Sequence, residues 1–468
     1  MSNDLIYKSA KELLELFERK EASPVEAIKA VLERVEERDK DINAFILVDE
    51  ESALAQARDS EARWSNGNPK GLLDGVPISI KDMFLTKGWP TLKGSLTIDP
   101  KGPWEEDAPC IARVREHGAV IFGKTTMPEF GWKGVGECEL TGITRNPWNL
   151  DKTPGGSSGG ASAALAARMG PLAIGGDGGG SIRIPSSLTG VFGIKANYGR
   201  VPMYPEGPMR NLTHAGPMTL TVEDAALLLT AISEPDYRDW TRLVYNNEDF
   251  TDGLDKGVAG LRIAYSPDLG YANVDPSVRK VVDAAAKVFE SLGANVEEKA
   301  PGFENPLPIF LTYWGVGWGA NLAGSLPEIE KAKLEPALRE FGEKGREIPL
   351  RDFTDAMTRR AELCVHMRHF HRDYDLLLTP STAVPAFDVG DRSLPNPDAL
   401  RGDSDWHPFS YPFNLTQQPA CSIPCGFTEA GLPIGLQIVS DSFREDLVLR
   451  AARAFEIAAE VSTLPPGY

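Results

Sequence analysis

Apolar positions along the chain recur with two periods. Leu13, Leu14, Leu16 and Phe17 give a first helix an apolar face, and Val25, Ile28, Val31, Leu32 and Val35 recur at the spacing of a second. Ser23 before Pro24 reads as the N-cap of that second helix, with proline at the first helical position, where its missing N–H is not needed. A strand over 44–48 and an alanine-rich helix over 50–64 follow. Val76, Ile78 and Ile80 alternate as strand residues do, which puts Lys81 at the strand's end, facing opposite to Ile80. Residues 107–117 read as a helix, 119–122 as a strand, 161–170 as a helix and 171–174 as a strand. Further on, 261–266, 294–298, 375–379, 420–426 and 432–439 predict strands. Residues 274–292 and 445–459 predict helices, and 303–370 is mostly helical. This alternation predicts an α/β protein with a large mixed β-sheet covered by helices on both faces.

Composition narrows the picture. With 49 basic against 67 acidic residues, the net charge is −18, which argues against a nucleic-acid or anionic membrane surface. The opening Met-Ser-Asn-Asp carries no basic and no apolar segment of a signal peptide. The small-apolar run 161–176 is interrupted by Arg168 and glycines and does not read as a membrane span. Five cysteines do not make a disulfide framework, and Cys421 and Cys425 lack a second pair at zinc spacing. A cytoplasmic protein is expected.

Two glycine-rich stretches hold the candidate chemistry: Thr153-Pro-Gly-Gly-Ser-Ser-Gly-Gly160 and Gly175-Gly-Asp-Gly-Gly-Gly-Ser-Ile-Arg183. Such loops present several N–H groups to a developing negative charge. Three other signals compete. Gly118-Ala-Val-Ile-Phe-Gly-Lys-Thr125 fits the P-loop pattern, but its would-be phosphate cradle is itself an apolar strand. Gly155-Gly-Ser157-Ser-Gly159 fits the nucleophile-elbow pattern, yet a turn precedes it instead of a strand. His366, His369 and His371 cluster beside Arg368 and Arg372, which would repel a cation, so no metal site is expected. A serine nucleophile here needs a base other than histidine. Lysine can serve if desolvation and positive neighbours lower its pKa from about 10.4 toward neutrality.

With these motifs taken together, the chain resembles the amidase signature family. The resemblance rests on the Lys81 strand Val76-Pro-Ile-Ser-Ile-Lys-Asp82, on Thr144-Arg-Asn-Pro-Trp-Asn149 running into the first loop, and on Asp177-Gly-Gly-Gly-Ser-Ile-Arg-Ile-Pro185. It is dense over 71–224 and returns over 375–384 and 412–439. It implies one domain over 1–468, made of N-terminal helices (1–70), a catalytic core (71–224), a variable largely helical region (225–370), and C-terminal strands with a closing helix (371–468). It also implies a Ser–cisSer–Lys triad. Ser181 matches the nucleophile, Ser157 the bridging serine after a cis peptide bond, and Lys81 the base. The backbone N–H groups of Gly178, Gly179, Gly180 and Ser181 match the oxyanion hole. Asp177 and Arg183 match loop-organising positions, and Ser158 is expected to hydrogen-bond within the loop. Gly176 and Gly178 stand where the family often has threonine, so a looser loop is expected. Leu220 and Asn197 also depart from the usual arginine and threonine.

By the same analogy, Met127 and Phe130 bind substrate, with 203–211 and 313–318 as pocket walls. The expected partner is a small aryl or alkyl amide, or an aryl carbamate, with no cofactor and no nucleic acid or membrane; a homodimer is left open. The competing readings are a glutaminase-type subunit of a tRNA-dependent amidotransferase and a non-catalytic binding module, against which the intact Lys81, Ser157 and Ser181 speak.

Overall fold

Ser23 accepts a hydrogen bond from the Glu26 N–H, and the Glu26 carboxylate accepts one from the Ser23 N–H, so the helix Pro24–Ile42 starts at the proline. Ser9 and Glu12 do the same for Ala10–Glu18, and the third helix is Glu50–Ser65. The computed structural model describes residues 2–390 and 406–468.

The strands, in chain order, are β1 (Phe45–Val48), β2 (Pro77–Lys81), β3 (Val120–Thr125), β4 (Glu137–Cys138), β5 (Gly142–Ile143), β6 (Leu172–Asp177), β7 (Phe192–Lys195), β8 (His214–Thr219), β9 (Arg262–Tyr265), β10 (Asn295–Glu298), β11 (Leu376–Pro380), β12 (Ala420–Phe427) and β13 (Pro433–Ser440). β4 and β5 pair alone. The other 11 form one sheet, ordered β1-β3-β2-β6-β8-β7-β12-β13-β11-β9-β10. The sheet is mixed, as the pattern predicts: β3, β2 and β6 run parallel, as do β11, β9 and β10, while the strands between pair antiparallel.

Alternation along β3 shows how both faces are covered. Val120 and Phe122 pack with Ile28, Val31 and Ala163 on one side. Ile121 packs with Ile111, Val114 and Leu228 on the other. Ile78 and Ile80 of β2 join the Ile121 side, so Lys81 turns toward the face that carries the helix Gly159–Ala166. Elements run longer or shorter than the sequence predicts at their ends. β3 continues to Thr125 and β6 to Asp177, because the buried Lys124 and Asp177 are held by partners that apolar periodicity cannot register.

The P-loop lookalike is β3 itself. Its Lys124 is buried, lies 2.9 Å from Asp82, and donates to Thr91 Oγ1 at 2.6 Å. His366 and His371 each hydrogen-bond a backbone carbonyl, of Pro301 and Tyr374. Among the described residues no group of three or more His, Cys, Asp or Glu could hold a metal ion, and no helix is long and apolar enough to cross a membrane.

Candidate active site

Neighbouring parallel strands β2 and β6 end side by side, and their ends carry Lys81 and Asp177. The first glycine loop leads into the helix Gly159–Ala166 and brings Ser157 and Ser158 over the end of β2. The second follows β6 and leads into the helix Arg183–Thr189. The Gly156–Ser157 peptide bond is cis, and the Ser158 N–H donates to the Ser181 carbonyl at 3.1 Å, tying the two loops together. Gly131, with φ +75°, lets backbone pass the site: a Cβ there would lie 2.9 Å from Ser157 Oγ.

Lys81 is buried, and its Nζ has three neighbours: Ser157 Oγ at 2.7 Å, Ser158 Oγ at 2.9 Å and the Gly176 carbonyl at 3.2 Å. Burial lowers its pKa to about 7, against the opposing attraction of Asp177. The N-terminus of the helix Gly159–Ala166, which starts after Ser158, further disfavours a cation there. No positive neighbour is needed, contrary to the sequence expectation; desolvation carries the shift.

Ser158 holds more of the site than expected. Its hydroxyl donates to the Gly176 carbonyl and accepts from the Gly176 N–H, both at 3.2 Å, while also meeting Lys81. Ser181 opens onto a cleft, and its Oγ forms no hydrogen bond among the described residues. Catalytic hydrogen bonds often tighten only when substrate is bound.

Below the loops lies a fully buried charge network. Arg183 donates through Nε and Nη2 to both Asp177 oxygens at 3.0 Å, through Nη1 to Gln437 and the Ser410 carbonyl, and through Nη2 to Asn414. Burial alone would raise the Asp177 carboxyl; the Arg183 guanidinium and the Asn414 amide more than offset it and hold the acid well below the usual range. Asp177 thus stays a carboxylate and accepts from the Gly180 N–H at 2.8 Å and the Ile182 N–H at 3.2 Å. This corrects the oxyanion-hole expectation at one position. The Gly180 N–H is committed to Asp177, whereas those of Gly178, Gly179 and Ser181 have no acceptor among the described residues.

The loop is not loosened by its glycines either. The space a side chain would take at Gly176 holds the Met83 thioether, 2.3 Å from such a Cβ, and at Gly178 it holds the Trp314 ring, at 3.3 Å.

The cleft at Ser181 has about 320 Å³ of empty space, counting its open mouth. Trp132, Lys133, Ile184, Phe310, Trp314 and His407 are among its walls. Met127 and Phe130 are not. Met127 is buried, its methyl packed against the face of Gly131 that also meets Ser157 Oγ, and Phe130 turns its ring toward Trp318, with centroids 6.5 Å apart. Of the aromatic stretch 313–318, Trp314 faces the cleft, while Trp318 is core and Tyr313 packs on Phe353 and Arg360. Trp132, Phe310 and His407 are wall residues the sequence did not single out, since no local motif marks them.

This geometry is that of a family. A family model described as Amidase matches residues 26–449, and the chain belongs to that family, hydrolases of amide C–N bonds. It is 36% identical over 470 residues to a glutamyl-tRNA(Gln) amidotransferase component of Geobacter sp. (strain M21), covering 95% of this chain and 96% of that one. It is 35% identical over 464 residues to an acylamidase of Rhodococcus erythropolis, covering 97% and 96%. Among solved structures, a bacterial aryl acylamidase of the amidase signature family superposes with a TM-score of 0.89 at 30% identity, covering 97% of this chain and 96% of that chain.

Proposed function

We propose that the protein hydrolyses small aryl or alkyl amides, and aryl carbamates, through an acyl-enzyme on Ser181. Lys81 is the base and Ser157 the proton carrier between them. The observation that carries this reading is the set of hydrogen bonds at Lys81. The Gly176 carbonyl can only accept. The Ser158 hydroxyl already gives its hydrogen to that carbonyl, so toward Lys81 it also accepts. A neutral amine has two hydrogens and one lone pair. Both hydrogens are taken by these acceptors, and the lone pair falls to the Ser157 hydroxyl at 2.7 Å. A pKa of about 7 makes that neutral form accessible at physiological pH.

In the reaction, Ser157 passes its proton to Lys81 Nζ and takes the proton of Ser181. The Ser181 oxygen bonds to the carbonyl carbon, and the carbonyl electron pair moves onto oxygen, facing the N–H groups of Gly178, Gly179 and Ser181. One such donor contributes roughly 2.7–4 kcal/mol to the barrier reduction. The C–N bond then breaks as Ser157 protonates the leaving nitrogen and Lys81 returns its proton to Ser157. Water, deprotonated by the same route, releases the acid.

The cleft favours apolar substrates. Trp132, Ile184, Phe310 and Trp314 line it, and the Lys133 ammonium on its wall is paired with Glu335 at 2.6 Å. A second reading, release of ammonia from glutamine within an amidotransferase, draws on the similarity to the Geobacter protein. A free amino acid would bring two charges into these aromatic walls, where no free cation among the described residues meets its carboxylate. Purified protein assayed on p-nitroanilides, aryl carbamates and glutamine separates the two. Turnover of anilides and carbamates with none of glutamine is expected, and fast glutamine turnover with none of anilides would overturn the proposal.

A further inference from the structure

His407 stands out on the cleft wall. Its ring is buried, held edge-on between Trp406 (centroids 4.7 Å apart, 85° between planes) and Tyr411 (6.0 Å, 84°). Neither ring nitrogen has a hydrogen-bond partner among the described residues. Apart from the Ser181 hydroxyl, the other polar side chains of the wall are satisfied: Trp132 Nε1 donates to Glu335 at 3.0 Å, Lys133 to Glu335 at 2.6 Å, and Trp314 Nε1 to the Trp132 carbonyl at 3.2 Å. A buried polar group with no partner is costly, and its presence calls for a reason.

We propose that His407 is a specificity-determining residue that hydrogen-bonds a polar substituent on the substrate's aromatic group, making the cleft selective for aryl amides bearing a hydroxyl or a similar donor–acceptor group. This rests on the amidase reading above. The backbone connects the ring to the reacting loop: the His407 carbonyl accepts from Ser410 Oγ at 3.1 Å, and that hydroxyl also reaches the Gly179 carbonyl at 2.6 Å. A neutral imidazole has one N–H donor and one bare nitrogen acceptor, so a hydroxyl can answer either one. Burial lowers the His407 pKa to about 4, so the ring stays neutral wherever Lys81 is an effective base. A site built to hydrogen-bond a substrate group discriminates strongly against the analogue that lacks it, because its own polar atoms are then left unpaired.

The test uses two substrate pairs, an anilide pair and a benzoyl-amide pair. Each compares the plain ring with rings carrying a hydroxyl at the meta or para carbon. In wild type, one pair shows a higher kcat/KM for a hydroxylated member, mostly through KM. His407→Phe lowers that ratio about tenfold or more, and His407→Gln, which keeps a donor and an acceptor, recovers part of it. A ratio within twofold of wild type in both variants overturns the assignment, as does a wild type with no preference in either pair. No wild-type turnover of any of these amides sinks the amidase reading instead.

Discussion

Replacing Lys81 with methionine should abolish activity and, at neutral pH, make the protein more stable. In the unfolded chain the lysine titrates at about 10.4; in the folded protein, burial brings it to about 7. Between those values the unfolded chain holds a proton that the folded protein does not. Stability therefore rises with pH across this window, by about 1.4 kcal/mol per pH unit. At pH 7 the wild type lacks about 4 kcal/mol of the stability it would have with a permanently neutral side chain. Methionine has similar length and no charge, so it removes this penalty. It also leaves Ser157, Ser158 and the Gly176 carbonyl without the amine, at a cost of about 1–3 kcal/mol. The net expectation is a variant more stable than wild type by about 1–3 kcal/mol at pH 7. The advantage should shrink as pH rises and reverse between about pH 8 and pH 10. Urea unfolding of both proteins from pH 6 to 10 measures it, and the difference between them isolates the Lys81 titration. A variant less stable than wild type at pH 7, or a difference that does not change with pH, would refute the reasoning.

Two other outcomes follow from the same geometry. Because only the neutral lysine accepts a proton, kcat/KM should fall tenfold per pH unit below about 7 and level off above it; a profile flat from pH 5.5 to 9 would remove Lys81 as the base. Ser158→Ala withdraws the acceptor of one Lys81 hydrogen and of the Gly176 N–H, so kcat should drop about 10- to 100-fold with little change in KM, and a kcat within twofold of wild type would deny Ser158 its orienting part.

What the sequence makes legible here is what is local. The N-cap and proline at Ser23–Pro24, the alternation that ends at Lys81, and the closing helix Glu445–Ala459 all depend on neighbours a few residues away. The two glycine loops are equally readable as motifs. The site's finer arrangement is not, because it is built from distant pieces. Arg183 meets Asn414 and Gln437 more than two hundred residues later, and this clamp is what lets Asp177 take the Gly180 N–H out of the expected oxyanion hole. The glycines at 176 and 178 look like lost side chains in the sequence, yet Met83 and Trp314 fill their places from elsewhere in the chain. The cleft walls follow the same logic: Trp132, Phe310 and His407 come from three separate segments, and no spacing rule connects them.

The mechanism turns on which serine carries the acyl group. Protein mixed with a slowly deacylated aryl ester, quenched in acid and digested, can be read by mass spectrometry. The acyl mass should appear on the peptide bearing Ser181, and Ser181→Ala should lose both the adduct and amide turnover while keeping its fold. An adduct on Ser157, or amide hydrolysis persisting in Ser181→Ala, would contradict it.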